Sequence, residues 1–433
     1  MKKLPLALFC GLTLRLVAQS PTLLTPDEAV RIALERNFDI RVVQGDAETA
    51  RLNNTKGNAG MLPTVNFVAG DNIGLNAFQQ QNLADGRTIE AYGRLNNTLN
   101  AGVQLSWTLF DGGRMQIAKK RLEELEALGQ TNLQATVQQT TAAVLLTYYE
   151  IVRSRLQERS TEELIALNTE RLRIAEARLA AGFAAQTDAL QARIDLNEQR
   201  SNLLTQQTAT TTAKRSLNLL LARPADTAFE VSEDLSASYT PDRARLLVQL
   251  RTQNPQLAAL QKSADVAALV VQENEKLKKP RINGIGQFTT QRTDNGAGFL
   301  LNTTQAGLVV GATLTIPLYT GGNLQRQVDV ARVGAEQAAT RLAAQRLSAE
   351  TEVDNQLAFF QTQQQVLTLE TDNVKNARES LNVSTERFRL GQTNALEVQS
   401  AQNALEQALL RQNVVLYNLK TTEVQLRLLA GAL

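Results

Sequence analysis

Two halves of this chain repeat each other at a fixed spacing, so any fold it adopts has to be built twice. Phe110-Asp111-Gly112-Gly113 corresponds to Tyr319-Thr320-Gly321-Gly322, and Arg178 with Gly182 corresponds to Arg387 with Gly391, both at an offset of 209 residues. Two separated landmarks that share one offset require the stretch between them to be equally long in each copy. Pro63 and Pro280 lie 217 apart, so the segment between them and the Gly-Gly pairs is eight residues shorter in the second copy. Length changes of that kind belong in loops.

Each copy runs through the same order of signals. The first opens with Thr25-Pro26-Asp27-Glu28, a helix start with proline and acids in its opening turn, followed by apolar Ala29, Ile32 and Ala33. After a break near Asn37, Ile40 and Val43 continue into a second helix. Pro241-Asp242 opens the corresponding helix in the other copy, and Asn254-Pro255 marks the same break. Pro63 and Pro280 then end the helices, because the residue before a proline is pushed toward extended backbone.

Alternation is sharpest just ahead of the Gly-Gly pairs. Over 98–109 the apolar residues Leu99, Ala101, Val103, Leu105, Trp107 and Leu109 interleave with Thr98, Asn100, Gly102, Gln104, Ser106 and Thr108. Over 306–318 the same holds for Ala306, Leu308, Val310, Ala312, Leu314, Ile316 and Leu318, with Val309 as the exception. A period of two over this length predicts strands. Their partners, over 64–78 and 281–290, alternate less cleanly, and the Asn-, Gly- and Asp-rich stretches between read as hairpin loops.

Past each Gly-Gly pair the pattern changes to helix. From 115 to 181 and from 324 to 390 there is no proline, and no glycine apart from Gly129 and Gly334. At 1.5 Å per residue such a run extends roughly 100 Å, and a helix of that length has to pack against others. Gly182 and Gly391 break these runs, Thr187-Asp188 and Thr393-Asn394 restart them, and the restarted helices end near Leu221 and Leu429. The expected organisation is a signal peptide at 1–20 and a first repeat at 21–221, with a strand hairpin at 64–110 and a helical hairpin at 115–221. A linker or equatorial segment at 222–240 leads to a second repeat at 241–433, with hairpins at 281–319 and 324–430.

The first twenty residues support secretion: Lys2 and Lys3, an apolar stretch over 4–14 interrupted afterwards by Arg15, and a small-residue exit at Ala18-Gln19-Ser20. The single cysteine, Cys10, lies inside that stretch behind Phe9, a poor fit to a lipoprotein signal, so removal is expected over lipidation. Without residues 1–20 the chain has no thiol and no histidine, which excludes disulfides, Cys- and His-based metal sites and the usual nucleophile dyads. Taking three basic residues from 45 leaves 42 against 43 acids, and nothing points to nucleic acid. No cofactor and no enzymatic activity are expected. No later stretch is apolar for the ~20 residues of a membrane-spanning helix, so a membrane crossing would have to use strands.

A two-faced sheet can pack on helices in a soluble domain, or close into a barrel with lipid outside and water inside. The smallest membrane barrels need about eight strands, so the membrane reading requires oligomerisation. Long helices diluted by Gln138, Gln139, Thr140, Thr141 and the Thr/Gln/Ala run at 205–212 fit a wet tunnel wall. A structural helical bundle or coiled-coil protein would explain the helices but not the strand hairpins. A periplasmic helical-hairpin adaptor would have one hairpin and a lipoyl-like domain, contrary to the duplication. A secreted enzyme working through carboxylates would need an acidic pair in an aromatic-lined loop, and none is evident.

Taken together, these residues resemble the TolC family of outer-membrane factors across nearly the whole mature chain. The most specific pieces are the strand-to-helix junctions from Leu109 to Arg114, with Phe110, Gly112 and Gly113, and from Leu318 to Asn323, with Tyr319, Gly321 and Gly322, the Thr25 to Pro63 segment, and the tip turns around Gly182 and Gly391. The resemblance implies a mainly α fold with β: a homotrimer whose twelve strands form one barrel in the outer membrane, continued by a periplasmic α-helical coiled-coil tunnel. It implies a passive exit duct for a tripartite efflux or type I secretion system, with a periplasmic adaptor and an inner-membrane transporter as partners. Asp188 and Glu397 match acidic positions at the family's periplasmic entrance, where they contribute to closure and cation preference; the second acid of the family's ring falls at Ser400. Asn394 to Glu397 also has capping-box spacing, and Asp188 would favour any helix N-terminus. Adaptor docking is expected on the tip turns, with Arg178, Leu179, Arg387 and Phe388 around Gly182 and Gly391, although ordinary helix ending explains the same residues.

Overall fold

A computed structural model describes residues 22–81, 84–235, 239–296 and 300–433. The expected signal segment and Cys10 lie outside the described residues. In chain order the elements are β1 (Thr22–Leu24), α1 (Pro26–Arg36), α2 (Phe38–Asn53), β2 (Thr64–Gln81), β3 (Thr88–Phe110), α3 (Arg114–Ala180), α4 (Gln186–Leu220) and β4 (Phe229–Val231). They continue with α5 (Arg243–Gln253), α6 (Pro255–Lys276), β5 (Arg281–Asn295), β6 (Asn302–Thr315), α7 (Asn323–Arg389) and α8 (Ala395–Ala430). Both long helices, α3 and α7, run for 67 residues. No described helix is long and apolar enough to cross a membrane.

Local chemistry sets the helix starts. Thr25 accepts from the amide of Glu28 at 3.3 Å with Pro26 in the first turn, and Asn254 does the same for Leu257 at 2.9 Å ahead of Pro255. Asn394 accepts from the Glu397 amide at 3.1 Å. The corresponding start in the first copy differs from expectation: α4 begins at Gln186, and its N-cap Ala185 has no side chain to offer.

Four strands form one antiparallel sheet in the order β2-β3-β5-β6. Cross-strand partners share a face, so the register assigns every side chain. The rows Phe67↔Val103↔Phe288↔Leu308 and Val65↔Leu105↔Gly286↔Val310 lie on one face, together with Ala69, Ala101, Ile282, Ala312 and Leu314. Asn66, Gln104, Gln287, Asn100, Gln291 and Gln305 lie on the other, with Val68, Ile285 and Val309 the apolar exceptions. The imperfect alternation of β2 and β5 is thereby resolved into the two faces seen in β3 and β6. A bulge at Leu109 brings Phe110 opposite Ile282 and onto the apolar face. The strand expected over 306–318 ends at Thr315, because Pro317 cannot donate to a ladder and restricts Ile316 before it.

The segment 222–240, expected as a linker or equatorial segment, holds β4, which pairs in parallel with β1 over three residues, Thr22↔Phe229 to Leu24↔Val231. Three residues are too few to register as a period. The pair is held by Tyr148, which is fully buried: its hydroxyl donates to the Leu24 carbonyl at 2.8 Å and accepts from the Ser232 amide at 2.9 Å.

By contact the chain separates into two compact units that cut across the sequence repeats. One gathers the described residues of 22–40, 137–247 and 352–433, the other those of 41–136 and 248–351. The first has its main core around Tyr148, Ile151, Val152, Leu217, Leu221, Phe229 and Val424, and a second around Ile174, Leu381, Phe388, Val398 and Leu405. The second unit carries the four-stranded sheet and a small cluster of Ala59, Ala118 and Leu122.

Candidate functional site

Both helical tips turn in the same way. Gly182 and Gly391 have φ of 78° and 75°, a left-handed conformation that glycine adopts without steric cost. Phe183 N–H donates to Arg178 O at 2.9 Å and Gly182 N–H to Leu179 O at 3.0 Å; Gln392 to Arg387 O at 2.8 Å and Gly391 to Phe388 O at 3.1 Å repeat the pattern. These are Schellman caps, which satisfy the last carbonyls of α3 and α7 and reverse the chain.

Side chains at the tips are distributed less symmetrically. Arg178 donates to the Phe388 carbonyl at 2.8 Å and to Phe183 O at 3.4 Å, with its guanidinium 4.6 Å from the centre of the Phe388 ring. Leu179 is partly buried against Ala175, Ala189 and Ala192, small residues that let α3 and α4 approach closely. Phe388, expected as a contact for a partner, is 1% exposed in the core of the second hairpin, where it anchors the turn from below. The exposed apolar residues at the tips are Phe183, 77% exposed, and Leu390 and Leu396.

The two tip acids sit in different surroundings. Glu397 accepts from Arg387 Nη1 at 2.7 Å, from Thr393 Oγ1, and from Ser384 Oγ at 3.4 Å. Asp188 is partly exposed in the first turn of α4, and its carboxylate has no hydrogen-bond or ion-pair partner among the described residues. Two turns deeper, Arg171 is 3% exposed and joins α3 to α4 and α8: it pairs with Asp195 and donates to Gln402 Oε1 at 2.5 Å, while Gln399 also donates to Asp195 at 3.1 Å. Neither partner of this buried pair stood out in the sequence. Arg171 and Asp195 read as ordinary members of a polar helix until the fold brings them together.

In the other unit, the strand-to-helix junctions use two successive left-handed glycines. Gly112 and Gly113 have φ of 72° and 90°, Gly321 and Gly322 of 60° and 76°. Asp111 accepts from the Met115 amide at 2.9 Å and so caps α3, whereas in the second copy the Thr320 carbonyl takes the Asn323 amide at 3.1 Å. Phe110 and Tyr319, 48% and 89% exposed, flank these turns.

The apolar face of the sheet is uncovered: Phe67, Leu308 and Val310 are each more than 70% exposed. On β5 this face carries no charge from Ile282 to Thr290 and then meets Arg292 and Asp294; on β2 its first charge is Asp71. Nine residues at ~3.3 Å each and a tilt of ~35–45° cover roughly 21–24 Å, close to the ~25 Å lipid-facing band of a membrane barrel. A water-exposed sheet would not leave such a face bare.

The family model for outer membrane efflux proteins matches residues 29–223 and 246–432, which takes in the tips, the junctions and the sheet. The chain belongs to the outer membrane efflux protein family. Among curated relatives, the outer membrane efflux protein BepC of Brucella suis is 25% identical over 336 residues, covering 75% of this chain and 70% of that protein. Among solved structures, the outer membrane protein VceC of Vibrio cholerae superposes with a TM-score of 0.78 at 17% identity, covering 94% of this chain and 96% of that one. The CmeC outer membrane channel of Campylobacter jejuni gives 0.79 at 15% identity, covering 100% and 94%. As an outer membrane efflux protein the chain is a passive conduit of the outer membrane that serves export, and it is not an enzyme.

Proposed function

We propose that three copies of this chain close a single twelve-stranded barrel in the outer membrane, continued into the periplasm by α3, α4, α7 and α8 of each copy as a tunnel. The observation that carries this reading is a four-stranded sheet with one bare apolar face and two unpaired edges, β2 and β6. Unpaired edges inside lipid are not tolerated, and four strands are too few to close. Because each neighbour in β2-β3-β5-β6 is antiparallel, β6 of one copy runs antiparallel to β2 of the next, so copies continue the alternation without a break.

Transport through such a duct needs a constriction and a docking face rather than a catalytic group. Asp188 and Glu397 stand at the tips, where three copies would surround the axis, and they form the periplasmic gate in this reading. The turns at Gly182 and Gly391, with Arg178, Leu179 and Arg387 around them and Phe388 as their buried anchor, receive a periplasmic adaptor that links the duct to an inner-membrane transporter. Residues 1–20 direct export and are removed; 21–221 and 241–433 are the two repeats, joined by 222–240. The test is conductance: purified mature protein added to planar lipid bilayers should give stable, uniform channels. Protein that inserts without conducting would overturn the reading.

A further inference from the structure

Within one chain, α6 is held between α3 and α7. Lys262 pairs with Glu124 of α3 at 2.8 Å, and Glu273 pairs with Arg121 at 2.9 Å and Arg114 at 3.2 Å. On its other side, Glu275 pairs with Arg332 of α7 at 2.9 Å, and Gln261 accepts from Arg346 at 3.1 Å. The counterpart of α6 in the first copy is α2, 217 residues earlier, and one side of α2 is filled in the same manner: a Cβ on Gly129 of α3 would lie 3.2 Å from Ala47 Cα. Its other side is exposed. The half-buried Lys262, Leu269 and Glu273 correspond to Gly45, Leu52 and Lys56, which with Val42 and Thr49 form an exposed line at spacings of three and four along one face of the helix.

The complementary face lies on α7. Arg121 and Glu124 correspond to Val330 and Val333, 209 residues further on and 60% and 54% exposed. Together with Gly334 and Gln337 they line an open groove of about 760 Å³. Between the two copies the substitutions come in matched sets. Where Lys262 pairs with Glu124, the equivalent positions are Gly45 and Val333, so both charges are gone. Where Glu273 pairs with Arg114 and Arg121, they are Lys56, Asn323 and Val330, so the sign reverses on one helix and both arginines are absent from the other. A charge left facing its old partner's apolar replacement would be costly, and joint loss is what contact between the two faces requires. The sheet brings the same helices together. β3 pairs with β5, and α3 and α6 adjoin those strands at Phe110 and Arg281. When β6 of one copy pairs with β2 of the next, α7 and α2 adjoin the joined strands in the same way.

We propose that α2 of one copy seats on the α7 groove of its neighbour as α6 seats on α3 within a copy, with Leu52 over Val330 and Val333 and Val42 toward Gln337. The joint inside a chain is ionic, and the joint between chains is apolar. Two different faces meet, which makes a ring rather than a two-fold pair. The inference rests on the reading that β6 of one copy pairs with β2 of the next. Its test is thiol cross-linking in isolated outer membranes, with the number of chains in the particle counted by native mass spectrometry. The sequence has one cysteine, Cys10, and none in the mature chain, so introduced thiols report alone. Gly45→Cys combined with Val333→Cys should be linked by a short bis-maleimide into covalent dimers and trimers on a denaturing gel. Gln44→Cys with Val333→Cys, about 100° round α2, should link several-fold less. Adding Leu52→Asp to the first pair should cut its linking several-fold. If the particle holds three chains but the first pair does not link, links no better than the second, or is indifferent to Leu52→Asp, this joint is overturned while the barrel stands. If the particle does not hold three chains, the proposal falls with that reading.

Discussion

Single residues at equivalent positions of the two copies work under different constraints, and the duplication supplies an internal control for each. Gly112 and Gly321 both have left-handed φ, but a Cβ on Gly112 would sit 2.2 Å from the Cβ of Lys279, whereas one on Gly321 meets nothing within 4 Å. Left-handed backbone alone costs a non-glycine residue ~1–2 kcal/mol. Gly321→Ala should therefore lower thermal stability modestly, and Gly112→Ala should lower it much further or prevent folding, because backbone has to move. Equal melting temperatures for the two variants would contradict the close approach at Lys279. Tyr149 offers a pH test in the core of the first unit. It is 8% exposed, and burial first, then the nearby Glu423 carboxylate, pushes its hydroxyl up to about 12 from the ordinary 10.0. A raised acid keeps its proton longer in the folded chain, so its contribution is complete below pH ~10 and is lost as pH rises toward 12. Denaturant titrations should record a loss on the order of 2 kcal/mol across that window, and Tyr149→Phe should remove this part of the alkaline decline. A variant with an unchanged alkaline slope would argue against the shift.

Elements differ in how much of them the sequence exposes. The sheet can be tested face by face: Leu308→Arg puts a charge in the middle of the apolar band, where ~2–4 kcal/mol is at stake, while Gln305→Arg places one on the polar face. The first should deplete the protein from the outer membrane, measured by fractionation, and the second should leave its level near that of the parent. Equal depletion would mean that the two faces are not lipid and water. The strands β3 and β6 were legible because their alternation persists for many residues, and the long helices because no proline and almost no glycine interrupts them. The faces of β2 and β5 became legible only through register, since Val68 and Ile285 interrupt their alternation. The pair β1 and β4 was hidden by its length, and it depends on Tyr148, whose hydroxyl meets Leu24 and Ser232 only after folding. At the tips the glycines were readable as turns, but the burial of Phe388, the exposure of Phe183 and the diverging partners of Arg178 and Arg387 arise from tertiary packing. A polar residue's sequence position says where it can reach, not which partner it finds.

At the scale of the whole molecule, the repeats and the compact units divide the chain differently. Each repeat contributes one strand hairpin and one helical hairpin, and each unit collects like parts from both repeats. A duplicated chain of this kind presents two unpaired sheet edges of opposite direction, a geometry satisfied by further copies of itself rather than by a different partner. In the proposed reading, three copies joined through these edges make the twelve-stranded barrel. The number of chains in the membrane particle is therefore the quantity on which the reading turns. Native mass spectrometry of the mature protein, extracted from outer membranes in mild detergent, should give a single species of three chains; a particle of one chain, with β2 and β6 left unpaired, would contradict it.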